Sequence, residues 1–288
     1  MNLPAFLVKK IALNWPFANG SGRFVDKFGG RVQFASKVIS CRTTDGFEID
    51  VLGDDHIGRH LLLSGKFDRT IVQTLLDFAK PEDSILDVGA NIGYVSCCLL
   101  NSVKGSRVIC MEPQPLIVDL LRRNLARFDA SRSRIIEAAL SDNDGRVVLN
   151  IDTNNRGASS IEDRVGSKTV TVQSVSAERL LAGLTSVDIV KIDIEGHEIH
   201  AIRSAEVQLG RLRPRVILFE DRQYGASVDG PIGKVLGNLD YAIYGIRKSL
   251  NSTSLVTIRS IKDCRYNDYL AVFKGHPIPP RVVAKYRI

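Results

Sequence analysis

Three carboxylates and an imidazole fall within six residues of this chain, at Asp193, Glu195, His197 and Glu198. Like charges this close raise one another's pKa, and a carboxylate so shifted is suited to take a proton from a hydroxyl. Asp193 leads as the candidate for direct chemistry, with Glu195, His197 and Glu198 beside it. Each has an ordinary use as well: Asp193 can cap a helix, and the glutamates can sit at its positive end. Glu220, at the end of another apolar run, is a further candidate for the wall of the same site. Asp193, Glu195 and Glu220 are oxygen donors of the type Mg²⁺ takes, but their spacing is not diagnostic. His197 and His200 lie three apart without an H-E-x-x-H arrangement, so no metal site is assigned.

A second set of residues suits a bound nucleoside. D-V-G-A-N-I-G at 87–93 carries Asp87, Gly89, Ala90, Asn91 and Gly93, and its glycines allow close backbone approach. A dinucleotide fingerprint needs glycine where Asn91 stands, so the loop argues for a ligand without pyrophosphate. Glu112, followed by Pro113, can accept two hydrogen bonds from a ribose diol. Ala138, Ala139 and Leu140 offer an apolar wall for the base, with Ser141 or Asp142 at its edge.

These groups need a scaffold that brings them together. SILDVG at 84–89, RVICME at 107–112, RIIEA at 134–138, VDIVKID at 187–193 and RVILFE at 215–220 read as buried strands. Between the second and third, Pro115 opens a helix with Ile117, Leu120, Leu121, Leu125 and Phe128 on one face. Strands alternating with helices imply right-handed crossovers and a parallel, doubly wound α/β sheet, with ligands at the strands' carboxyl ends. YAIYGI at 241–246 and YLAVF at 269–273 read as an antiparallel pair at one edge. The polar stretch 152–160 is expected to be a lid or a surface connection.

The 288 residues are 44% hydrophobic and 25% charged, the composition of an ordinary globular protein. The net charge of +7 sits on the flanks: residues 1–40 carry six cations against Asp26, and 274–288 carry four cations and no acid. Residues 41–273 are slightly acidic, so nucleic acid gains no strong signal. No apolar run reaches the roughly 20 residues of a membrane-spanning helix. The lysines inside MNLPAFLVKKIALNWPF make a poor secretory signal, and five scattered cysteines suggest reduced thiols, so a cytoplasmic location is expected. Phe6, Leu7, Ile11, Leu13 and Trp15 offer an apolar face to the chain's own domain or to a second copy in a homo-oligomer.

D-V-G-A-N-I-G at 87–93, M-E-P at 111–113, A-A-L-S-D at 138–142 and K-I-D-I-E-G-H-E at 191–198 resemble the FkbM family of S-adenosylmethionine-dependent methyltransferases, which act mostly on hydroxyl oxygens. The resemblance runs from about residue 65 to residue 273. It implies a Rossmann-like class I methyltransferase sheet of seven strands with the last antiparallel. It also implies S-adenosylmethionine as cofactor and Asp87, Gly89, Asn91 and Glu112 among its contacts. One departure is Gly65-Lys66-Phe67-Asp68, where the family often has Gly-x-aromatic-Glu. The expected organisation is an N-terminal α/β extension over 1–70, a methyltransferase domain over 71–275 and a basic tail over 276–288. The expected reaction is O-methylation of a small-molecule or glycan acceptor, through a hydroxyl of a sugar or other polar secondary alcohol. Three alternatives compete. A nucleic-acid methyltransferase lacks D/N-P-P-Y/F/W after the fourth strand, and a nicotinamide oxidoreductase is opposed by Asn91. A non-catalytic partner-binding protein on the same fold is the third.

Overall fold

The computed structural model describes residues 4–152, 159, 161, 168–223, 225–286 and 288. The chain opens with α1 (Ala5–Leu13) and α2 (Ser21–Phe24), then an antiparallel ribbon of β1 (Val38–Arg42) and β2 (Glu48–Leu52). Helices α3 (His56–Ser64) and α4 (Arg69–Phe78) lead into β3 (Ser84–Val88), α5 (Tyr94–Ser102), β4 (Arg107–Met111), α6 (Pro115–Leu125) and β5 (Ser133–Ile136). Three strands follow: β6 (Ala139–Ser141), β7 (Gly145–Ile151) and β8 (Lys168–Ser176). The second half runs α7 (Ala177–Ala182), β9 (Ile189–Ile192), α8 (Glu198–Ser204), α9 (Glu206–Leu212), β10 (Val216–Glu220), α10 (Pro231–Asn238), β11 (Tyr241–Lys248), β12 (Thr253–Thr257), β13 (Asp268–Phe273) and α11 (Pro280–Tyr286).

The main sheet has the order β12-β11-β13-β10-β9-β3-β4-β5. The five strands from β10 to β5 are parallel; β10, β9, β3 and β4 are short, largely buried apolar runs, while β5 at the edge is only half-buried. Their side chains alternate. Ile85, Val108, Ile189 and Leu218 join one core with α4, α5 and α6; Leu86, Val190, Ile217 and Phe219 join another with α7, α8, α9 and α10. β13 runs antiparallel between β10 and β11, as the resemblance implies.

Four features depart from the expected outline. The main sheet has eight strands, because β12 folds back on β11 at the edge. A separate three-stranded sheet, β6-β8-β7, stands beside β5 and was not anticipated. Packing shows no break at residue 70: Ile49 and Val51 of β2 and Leu61 of α3 share one core with Leu75, Leu99 and Leu121. The tail is docked. Val282 and Tyr286 of α11 are buried, and the Tyr286 hydroxyl donates to Asp77 Oδ2 at 2.6 Å. Within the expected basic tail, α11 thus docks by an apolar face while its charged side chains stay at the surface.

Residues 1–40 contribute α1, whose Val8 and Ala12 pack against Val25 and Leu63 while Phe6 faces outward. The five cysteines are free thiols; Cys97 and Cys98 are both buried in α5. Among the described residues no helix is long and apolar enough to cross a membrane.

Asn124 ties the N-terminal ribbon to the sheet's helices. Its fully buried amide accepts from the Asp50 N–H at 2.7 Å and donates to Asp50 O at 3.0 Å and Ile92 O at 2.8 Å. Asn124→Ala strands those backbone groups, and a loss of about 2–4 kcal/mol is expected in urea unfolding.

Candidate active site

The chain leaves β3 toward β4 on one side, while β9 pairs on the other. This is the switch point at which doubly wound sheets open a crevice at their carboxyl ends. Gly89 follows β3 with φ 72°, and a Cβ there would lie 1.8 Å from the Asp193 carbonyl oxygen, so only glycine fits. Asn91 has φ 50°, a left-handed conformation that asparagine tolerates, and its Oδ1 accepts the Ile92 N–H at 2.8 Å. The Asn91 N–H donates to Glu112 Oε2 at 2.9 Å, and the Gln114 N–H donates to Oε1 at 3.0 Å. Burial pushes the Glu112 carboxyl up to about 7 against the pull of those two hydrogen bonds.

The cleft over these strand tips encloses about 1170 Å³, open mouth included. Of the residues expected to hold a cofactor, Gly89, Ala90, Asn91, Glu112, Pro113, Ala139, Leu140 and Asp193 line it. Asp87 and Gly93 stand behind the wall instead. Asp87 is 1% exposed; its Oδ1 lies 3.1 Å from Lys191 Nζ, and Oδ2 accepts from the Ser96 hydroxyl at 2.7 Å. Gly93 lets α5 approach α6, since a Cβ there would be 2.6 Å from Leu121 Cδ1.

The acidic cluster splits. Asp193 and Glu195 line the cleft, whereas His197 and Glu198 are not among its lining residues. Glu198 folds back so that its carboxylate accepts the Ile194 and Gly196 N–H groups, both at 2.9 Å, and burial pushes it up to about 7. His197 stacks on His200 with centroids 4.5 Å apart, and its Nε2 lies 3.3 Å from Ser141 Oγ. Both therefore brace the turn that presents Asp193 and Glu195. The stretch 152–160, expected to be a lid or a surface connection, lies mostly outside the described residues; of it Asp152 and Ser159 are described, and Ser159 lines the cleft together with Ile161, which follows the stretch.

Glu220, expected in the wall of the same site, does not line the cleft but stands behind its acidic side. Asp193, Glu195 and Glu220 place carboxylate oxygens within 4.8 Å of one another, a donor set that could hold a cation. Arg222 supplies positive charge there, 3.4 Å from Glu195 and 2.8 Å from Glu220. Burial, with repulsion from Asp193 and Glu195, pushes Glu220 up to about 8.

Several residues of the site were not assigned a role from the sequence, although Lys191, Phe67 and Asp68 lie in motifs quoted for the resemblance. Lys191 sits in the middle of a buried strand, and its Nζ also lies 3.2 Å from Gly89 O and 3.6 Å from Asp193 Oδ2. A lysine inside a Val/Ile run, two residues before an acid, was the available clue. His56, Phe67 and Asp68 form the far wall of the cleft. Lys248, from β11, lies 3.5 Å from Asp68 and 2.7 Å from Asp268. Burial raises the Asp68 carboxyl to about 6, although Lys248 opposes the shift. Beyond Phe67 and Asp68 a second cleft opens, of about 1000 Å³, sharing His56, Phe67 and Asp68 with the first.

Residues 87–246, more than half of the chain, match the profile of the family described as the Methyltransferase FkbM domain. The chain belongs to the FkbM methyltransferase family. The matched span holds the strand tips, Glu112 and the acidic cluster; the FkbM match stops short of His56, Phe67, Asp68 and Lys248. Curated relatives include the 2-O-methyltransferase NoeI of Sinorhizobium fredii, 29% identical over 167 residues that cover 51% of this chain and 66% of that protein. The hexuronic acid methyltransferase AglP of Haloferax volcanii is 25% identical over 138 residues, covering 47% of this chain and 55% of its own length. The chain thus spans less than two thirds of the length of these relatives. A crystal structure titled as an FkbM methyltransferase from Methylobacillus flagellatus aligns with a TM-score of 0.44 at 19% identity, over 68% of this chain and 44% of that one.

Lys191→Met would leave Asp87 buried without its cation, and a loss of about 3–5 kcal/mol in chemical denaturation is expected. The double variant Asp87→Asn with Lys191→Met should recover much of it, because no uncompensated charge remains; an unchanged deficit would count against the ion pair as the cause.

Proposed function

We propose that this FkbM domain is an S-adenosylmethionine-dependent O-methyltransferase whose acceptor hydroxyl belongs to a sugar or another polar secondary alcohol. The observation that carries it is the first cleft. There a backbone-held Glu112 faces the same space as the apolar wall of Met111, Ala138 and Leu140, with Asp193 and Glu195 also lining it. Names of relatives support the reaction type: one is a 2-O-methyltransferase and another a hexuronic acid methyltransferase.

These residues fit the cofactor chemically. The Glu112 carboxylate has lone pairs left for a ribose diol, and the apolar wall suits a purine. Asp193 and Glu195 place negative charge where a sulfonium would sit. When bound, the cofactor supplies an electrophilic methyl group: the acceptor oxygen bonds to its carbon as the carbon–sulfur bond breaks, leaving a neutral thioether. The protein's own part is to orient the acceptor, exclude water and receive one proton. Asp68 is the proposed general base, since it lies in the wall common to both clefts. With a carboxyl raised to about 6 it is ionised at neutral pH yet more basic than an ordinary aspartate. Asp193, expected from the sequence to act directly, is bound to Lys191 and is assigned to the donor side.

Calorimetric titration with S-adenosylhomocysteine tests the donor site; no heat and no thermal shift at millimolar ligand would sink it. Because Glu112 is held near 7 by burial, it is ionised above that pH and protonated below. Affinity should be full near pH 8 and fall as pH drops through 7, by up to about tenfold per unit. Glu112→Gln should bind weakly at every pH, with a flat profile. Asp68→Asn should lower kcat by about a hundredfold or more while leaving product-nucleoside affinity nearly unchanged.

A further inference from the structure

The second cleft is walled by residues 18–23 of the N-terminal segment, by His56 and His60 of α3, by residues 66–70 and by Lys248. Its charge is lopsided. Arg23, Lys66, Arg69 and Lys248 line it against two acids, Asp26 and Asp68. Both acids already have partners: Asp26 Oδ1 lies 2.8 Å from His60 Nε2, and Asp68 faces Lys248, which also holds Asp268. Arg69 is bonded to Asp45, which lies outside the cleft. Among the described residues, Lys66 and Arg23 have no carboxylate within ion-pair distance. Lys66 is half-buried beside Arg69; its burial and that neighbour disfavour its charge, and Asp45, already bonded to Arg69, offsets them only in part. A sheltered ammonium next to a guanidinium is an unfavourable arrangement that an incoming anion relieves.

The rest of the cleft suits a ring bearing hydroxyls. His56 and His60 lie 4.5 Å apart between centroids, and Phe67 meets the His60 ring edge-on at 5.5 Å, forming an aromatic wall for the apolar face of a sugar. Asp68 closes the end that joins the first cleft.

We propose that this second cleft seats the methyl acceptor and selects one carrying an oxyanion, a carboxylate or phosphate, close to the hydroxyl that is methylated, with Lys66 and Arg69 as the anion contacts. The acceptor role rests on the reading of the first cleft as the donor site; the anion preference does not. An acidic sugar satisfies both halves of the cleft, its charge on the basic residues and its ring on the aromatic wall. A neutral sugar would leave Lys66 with only the partial compensation of Asp45.

The test is calorimetry on the full chain with methyl glucuronide, glucose 6-phosphate and neutral methyl glucoside, with S-adenosylhomocysteine titrated in parallel. At least one anionic sugar should bind about tenfold or more tightly than the neutral one, and which of the two leads assigns carboxylate or phosphate. Lys66→Met should erase the preference and Lys66→Arg retain it, both keeping S-adenosylhomocysteine affinity within about twofold. Equal binding of charged and neutral sugars, no binding of either anion at millimolar concentration, or an unchanged preference in Lys66→Met would overturn the proposal. A chain that binds the anionic sugar but not S-adenosylhomocysteine loses the donor assignment and keeps the anion subsite.

Discussion

A single buried cation organises the strand tips. Lys191 on β9 lies directly across from Asp87 on β3, and its ammonium lies within 3.6 Å of Asp87, the Gly89 carbonyl and Asp193. Burial alone would strip the charge from such a lysine, yet the two carboxylates hold its pKa above the ordinary value. The ion pair therefore has two tasks. It cross-links the strands at the point where the sheet's order reverses, and it fixes the carbonyl of the loop residue that must turn closely past Asp193. Remove the cation and Asp87 becomes an unpaired charge among the buried Cys97, Cys110 and Ser96. The backbone at the strand tips is thus held by a pair of which one member, Lys191, lines the cleft and the other, Asp87, stands behind it.

Around that anchor, acids in and beside the cleft are arranged in two sets, each with one cation. Glu195 and Glu220 share Arg222, and Asp68 and Asp268 share Lys248. In each set one cation faces two carboxylates, so compensation is partial and some carboxyl groups stay above their usual range. A cleft with this surplus of negative potential attracts a cationic ligand and discourages an anionic one. The neighbouring cleft has the opposite sign. The two spaces adjoin at Phe67 and Asp68, so their differently charged linings meet at one wall.

What could be read from the residues alone follows from how local each signal is. The loop at 87–93 and Glu112 are contiguous with β-branched runs, so their positions at strand ends follow from periodicity. The 193–198 cluster was legible as a concentration of acid but not as directions: Glu198 turns back onto its own backbone N–H groups, and His197 stacks on His200. A count of carboxylates cannot tell a group aimed into a cleft from one that staples a turn. Lys191 was obscured because a charged residue in a strand usually marks an exposed face, and here its partner lies 104 positions away. Asp68 and Lys248 are 180 residues apart and meet only because β11 pairs with β13 at the sheet's edge. β7 and β8 escaped notice because their pairing, Gly145 opposite Ser174, spans a polar connection that reads as a loop.

The two halves of the site are also built from different materials. The first cleft is positioned by parallel strands whose register cannot slip without turning every buried side chain to the wrong face. On the other side, the lining groups are long side chains from α3, the 66–70 segment and β11, together with the N-terminal stretch 18–23. Side chains can be exchanged without disturbing the sheet, whereas the strand-tip backbone cannot. The FkbM match covers 87–246 and so includes the first kind of material while leaving out every residue that lines the second cleft. A fold so divided can keep one donor chemistry constant and change its acceptor by altering the N-terminal segment and the edge strands, where the physical cost of substitution is lowest.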